Sequence, residues 1–156
     1  MSRRPHCSTP RAERGLATVE MAITLPLLLF LLLAVAEFGR MVSQYDALTK
    51  AVRDGARYAA SVSALGSTGL VYVTPSIQSA VANLVATGNV NGSGTPLLPG
   101  LTPADVTVSD AGNGYVEVSA TYVYQPMVGA TLPTFGIGGP IPLDVPLTAA
   151  CLMRAL

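Results

Sequence analysis

The chain is poor in the residues that do chemistry. Of its 156 residues 12% are charged, one is histidine, two are cysteine and none is tryptophan. With His6 as the sole histidine, no Ser–His–Asp or Cys–His arrangement and no His-based metal centre can be built from the rest of the chain. The two cysteines, Cys7 and Cys151, stand near opposite ends, so no disulfide framework holds the protein together. Cys151 reads as a small apolar side chain, with a covalent link between subunits as the alternative. Nine basic and nine acidic residues cancel, which leaves no cationic surface for nucleic acid. The glycine clusters "GSG", "GNG" and "GIGG" lack the spacing and the strand–helix setting of a dinucleotide loop. No constellation for an enzyme, a metal or a cofactor is present.

What the chain does have is a long oily run. From Leu16 to Ala36 the only charged residue is Glu20, and a bilayer needs about 20 residues of helix. Residues 1–15 carry Arg3, Arg4, Arg11 and Arg14 against Glu13, net +3, and the remainder is net −3. Such a basic tip is a targeting and orientation signal. It places the N-terminus in the cytoplasm and the C-terminal part outside. Pro5 and Pro10 argue against helix within residues 1–15. Pro26, inside the run, predicts a kink.

The helical period continues beyond the run. Val42, Tyr45, Leu48, Val52, Ala56, Ala59 and Val62 step by three or four, an amphipathic stripe. Asp46–Lys50 and Lys50–Asp54 have the spacing of i,i+4 ion pairs. "GSTG" at 66–69 breaks the helix. Thr74–Pro75 reads as a cap and first residue of a short second helix with Ile77, Val81, Leu84 and Val85 on one face and Gly88 as its stop. Residues 89–103 read as loop, and Asn91-Gly92-Ser93, a glycosylation sequon in form, is part of it. "DVTVSD" and "YVEVSATYVYQ" alternate as strands around "AGNG" at 111–114. Residues 126–142 read as Pro/Gly-rich loop, and "LDVPLTAACLMRA" as a third strand that Pro146 assigns to an edge. The predicted fold class is α+β. A long N-terminal helix, part transmembrane and part amphipathic, packs on a small antiparallel-sheet head. The predicted organisation is leader 1–15, transmembrane helix 16–36, amphipathic continuation 37–62 and extracytoplasmic head 63–156.

Gly15, Leu16 and then Glu20, the fifth residue after the glycine, ahead of an oily helix resemble the processing site of type IV pilins. "RGLATVEMAITLPLLLFLLLAVAEFGR" followed by "ALTKAVRDGARYAA" is similar, more narrowly, to the TadE-like family of minor pseudopilins of the tight-adherence (Flp) pilus. The family's E-x-A-x-x-x-P-x-L opening is met at Glu20, Ala22, Pro26 and Leu28, and its A-x-R-[DE]-G-A-R-Y-A-A block from Ala51 to Ala60. Met21 departs from the aromatic residue that major Flp pilins carry after the glutamate, and those pilins are shorter, which favours a minor component. The resemblance covers residues 14–60. It implies cleavage after Gly15 by a prepilin-type peptidase, an ion pair between Glu20 and the new α-ammonium of a neighbouring Leu16, and no catalysis. The implied partners are other Flp/Tad pilins and pseudopilins, an inner-membrane assembly platform and the lipid bilayer.

The "RDGARYAA" block contains a patch of small residues, Ala51, Gly55, Ala56 and Ala59. A glycine inside a helix costs up to about 1 kcal/mol relative to alanine, so it is expected where another backbone approaches closely. That neighbour is either the protein's own sheet or another subunit. Arg53 and Arg57, one turn apart, are possible partner contacts, although a solvated face accounts for them as well. The rival reading of the N-terminus is an ordinary signal peptide cut after Ala36 in "AVA", which would release or anchor a small exported binding domain. Against it stand the length of the oily run and a helical period that passes Ala36 without a break.

Overall fold

The structure is a computed structural model that describes residues 11–64, 70–127, 129–132 and 139–155. In chain order the elements are α1 (Arg11–Val62), α2 (Pro75–Thr87), a 3-10 turn (Pro103–Asp105), β1 (Val106–Gly112), β2 (Tyr115–Val123), β3 (Thr131–Leu132), β4 (Ile141–Pro142) and β5 (Pro146–Arg154). This is the α+β architecture expected, with a long apolar N-terminal helix and a small antiparallel sheet. The chain divides into two compact units, one ending at Phe38 and one starting at Gly39. Residues 1–10 and the "GSTG" break at 66–69 lie outside the described residues.

α1 begins at Arg11, so the non-helical reading of residues 1–15 is corrected for 11–15. Proline obstructs the turn that precedes it and not the one that follows, and Ala12, Glu13, Arg14 and Leu16 after Pro10 are good helix formers. Pro26 lies within α1, whose helical assignment is unbroken.

In the second unit, residues of α1 form the spine of the core. Leu48, Val52, Gly55, Ala56 and Ala59 are buried, with Ala51 and Ala60 beside them. The predicted stripe is corrected at three positions. Val42, Tyr45 and Val62 are 51%, 45% and 39% exposed. At about 100° per residue Tyr45 points between buried Val52 and Ala56, and Val42 points with buried Ala60. Both lie N-terminal to Leu48, where this flank of α1 is left uncovered, while Val62 is the last residue of the helix. α2 adds Val81, Ala82, Val85 and Ala86 to the core. Its start is capped by Thr74, whose Oγ1 accepts from the Ile77 N–H at 3.3 Å. Gly88 stops it at φ 75°, and the Gly88 N–H donates to the Leu84 carbonyl.

The main sheet has the order β1-β2-β5, all antiparallel. β2 alternates cleanly: Val116, Val118, Ala120 and Tyr122 face the core, and Tyr115, Glu117, Thr121 and Val123 face out. The β1–β2 hairpin closes on Asn113-Gly114, both at positive φ (52° and 78°), the conformation that a two-residue turn of the primed type requires. The ladder shifts between Asp110 and Gly112, and the Gly112 N–H donates to Asp110 Oδ1 at 2.8 Å. Tyr122 donates its phenolic hydroxyl to the Pro99 carbonyl at 3.1 Å, tying the 89–103 loop to the sheet. Burial raises the Tyr122 pKa above 10.0, against the opposing pull of the Gln125 backbone and the Arg40 charge. The stretch 126–142, expected as loop, contains a short ladder in which β3 pairs with β4.

Candidate functional site

The first unit carries the residues picked out as a processing and assembly site. Gly15 lies inside α1, and a methyl group added there would meet nothing within 4 Å. Leu16 follows it, 74% exposed. Glu20 is exposed one turn further on, and its backbone carbonyl accepts the Thr24 hydroxyl at 2.9 Å. Among the described residues the Glu20 carboxylate has no cationic partner within 4 Å. Around and beyond it the apolar side chains point outward. Ile23, Leu27, Leu28, Leu31 and Leu32 are all more than half exposed, and an 18-residue window has mean hydropathy 2.4 with none of it buried. A helix that is oily all round and unburied belongs in a medium as apolar as itself. This segment is long and apolar enough to cross a membrane.

The small-residue patch belongs to the second unit, where the structure decides between its two readings. A Cβ built on Gly55 would stand 2.5 Å from Val85 Cγ2, 3.5 Å from Val81 Cγ1 and 3.7 Å from Val118 Cγ1. The close approach is therefore internal: Gly55 admits α2 and β2 of the same head. Ala51, Ala56 and Ala59 are buried in the same cluster. The sequence shows that a neighbour must come close at Gly55. It does not show which one, since α2 lies thirty residues downstream and the contact is set by topology.

Residues 15–57 match the family model of TadE-like protein. No curated protein and no solved structure matches the chain. The TadE-like match spans the apolar run, Glu20, Pro26 and the first part of the "RDGARYAA" block, and residues 58–156 lie outside it. The TadE-like family implies a role in assembly of the Tad pilus, and the one helix among the described residues that is long and apolar enough to cross a membrane fits a membrane-anchored component of it.

Arg53 and Arg57 are both exposed, and among the described residues neither has a carboxylate within 4 Å. Arg57 lines a cleft of about 300 Å³ with Ala60, Ser61, Met153 and Arg154. Lys50 Nζ pairs with Asp46 at 2.7 Å, so the expected second pair, Lys50–Asp54, is not formed. One ammonium serves one carboxylate here, and the acid placed N-terminal to the base is the favoured order. Sequence reasoning missed two buried polar residues, Glu37, only 5% exposed, and Gln44, 9% exposed, whose Oε1 lacks a hydrogen-bond partner among the described residues. Their seven-residue separation, with Leu48 four further on, marks one side of the helix. That signal is visible in the sequence once polar residues are allowed on the stripe.

Proposed function

We propose that the protein is a minor pseudopilin that supports assembly of the Tad pilus and is matured by removal of residues 1–15. The observation that supports it is the run of Gly15, Leu16 and Glu20 at the start of an exposed oily helix, inside the TadE-like match. The basic tip keeps the N-terminus in the cytoplasm by the positive-inside rule, with the head on the other side. Cleavage after Gly15 leaves an α-ammonium at Leu16. In a bundle of such helices a neighbour displaced along the axis brings its Glu20 to that charge. A buried pair of this kind fixes register more than it adds stability. The signal-peptide alternative places its cut between Ala36 and Glu37, a bond that lies within α1.

Mass spectrometry of the mature N-terminus tests the proposal. In cells with an active prepilin-type peptidase the protein begins at Leu16, and Gly15→Phe retains the leader. A terminus at Glu37, or an intact leader on the unaltered protein, overturns it. Glu20→Gln is expected to insert and be cleaved normally while losing association with partner pilins, read by crosslinking of membrane helices. An uncompensated buried charge costs ~3–5 kcal/mol, more than a hundredfold in affinity at about 1.4 kcal/mol per decade.

A further inference from the structure

The two edges of the main sheet are finished differently. At β1 the ladder is broken by the shift at Asp110/Gly112, and Gln78 of α2 donates its Nε2 to the Val108 carbonyl at 3.4 Å. A bulge and a covering side chain are the usual protections of an edge. β5 has neither. It pairs with β2 without interruption from Pro146 to Arg154 and, among the described residues, has no strand on its other side.

The register shows which groups of β5 are free. The Tyr124 N–H donates to the Val145 carbonyl at 3.0 Å, and the Ala155 N–H donates to the Gly114 carbonyl at 2.8 Å. Both bonds continue the β2–β5 register, in which Val123 faces Pro146 and Tyr115 faces Arg154. In an antiparallel pair, residues that bond to the partner alternate with residues that point their N–H and C=O away from it. The odd-numbered residues of β5 therefore bond to β2, and the even-numbered ones turn their backbone groups to the open edge. Thr148, Ala150, Leu152 and Arg154 are exposed, and among the described residues none of their N–H groups has a backbone acceptor. Pro146 alone lacks an N–H to offer.

Charge identifies the occupant. Asp144 and Arg154 flank the strand, both exposed, and neither has an ion-pair partner within 4 Å among the described residues. We propose that β5 pairs antiparallel with β5 of a second copy of this chain, centred on Ala149. In that register Arg154 faces Asp144 of the second copy, and symmetry repeats the pair at the other end. Thr148 exchanges both backbone bonds with Ala150 of the second copy, and the Leu152 N–H reaches the Pro146 carbonyl. Odd residues meet odd residues, so core-facing Leu147, Ala149, Cys151 and Met153 stay on one face of the joined sheet. Centring the pair on Ala150 instead sets Arg154 against Pro146 and leaves both charges unmatched.

The test uses the full chain expressed alone in membranes, so that its outcome is independent of the pilus role. In a Cys7→Ser, Cys151→Ala background, Thr148→Cys and Ala150→Cys chains with different tags are co-expressed and oxidised. Facing residues of a hydrogen-bonded antiparallel pair have Cα atoms about 5.5 Å apart, within disulfide range, so a mixed-tag dimer is expected. Asp144→Arg and Arg154→Asp each lower its yield several-fold, and combining them in one chain restores it. Ala150→Pro removes an N–H that β2 does not use, and abolishes the dimer while the head still melts cooperatively. The proposal is overturned if the mixed-tag dimer is no more abundant than that of a Thr107→Cys control on β1, or if the combined charge exchange fails to restore it. Where a charge or proline variant does not fold, the cysteine pair decides alone.

Discussion

The two parts of α1 obey opposite rules within one helix. Up to Phe38 the side chains are large and aliphatic, and they are exposed: Leu27, Leu28, Leu29, Leu31 and Leu32 stand between 52% and 66% open. From Gly39 onward the residues that matter are small, and they are hidden: Ala51, Gly55, Ala56 and Ala59 lie under 10% exposure. Hydrophobicity and burial therefore separate. The first part is long and apolar enough to cross a membrane, a medium in which apolar bulk carries no cost. In the second the helix is a core element, where density governs and a methyl group in the wrong place forces its neighbours aside. A hydropathy profile read alone ranks the first part as the more buried and inverts the order.

Pairs of matched substitutions test this contrast. The largest expected effect is Leu48→Ala, which removes a fully buried side chain and is expected to lower head stability by ~2–5 kcal/mol. Leu29→Ala is expected to change head stability, read by the same denaturant unfolding as for Leu48→Ala, by less than ~0.5 kcal/mol. Equal effects would break the comparison. Next, Leu29→Arg is expected to oppose membrane insertion by ~2.5–3.5 kcal/mol, seen as protein released by alkaline extraction, and to leave the head's melting unchanged. Gly55→Ala is expected to destabilise the head by ~1–3 kcal/mol for overpacking, partly offset by up to about 1 kcal/mol of helix propensity. A rise in melting temperature would show that Val85 yields freely. Gly39→Ala, where the added methyl group meets nothing, provides the control. The smallest is Asp46→Ala. It breaks a pair whose side chains are 68% and 62% exposed and is expected to cost no more than ~0.5 kcal/mol, near the limit of a double-mutant cycle with Lys50.

Local chemistry made part of this fold legible. Asn113-Gly114 between alternating runs specified the hairpin, and Thr74–Pro75 with Gly88 specified both ends of α2, because each signal acts within a few residues. The edge position of β5 followed from Pro146 in the same way. What could not be read depends on distant parts. How far the α1 core extends along the helix needed knowledge of where α2 and β2 lie, which is why Val42 and Tyr45 were placed on the buried stripe. The two-residue ladder of β3 and β4 is too short to leave an alternating pattern. Within the candidate site, Gly15, Leu16 and Glu20 were legible as a spaced motif, and the structure adds their exposure. It offers Glu20 no cation among the described residues, so a single chain leaves that part of the motif unanswered.

The cluster that closes the head draws on its first and last segments. Leu48, Val52, Ala56 and Ala59 of α1 are joined to Ala149 of β5, with Leu147, Cys151 and Met153 packed alongside. Contacts across roughly a hundred residues of chain are slow to form, because the intervening loop must be ordered first. On any vectorial route, whether from a ribosome or through a pore, the small-residue face of α1 emerges early, is covered first by α2 and β2, and is closed in only when the final strand arrives. The head thus has a built-in delay. A chain cut short before Pro146 leaves Val116, Val118 and Ala120 on a strand with one bare side, a species suited to capture by a chaperone or a protease and not to assembly.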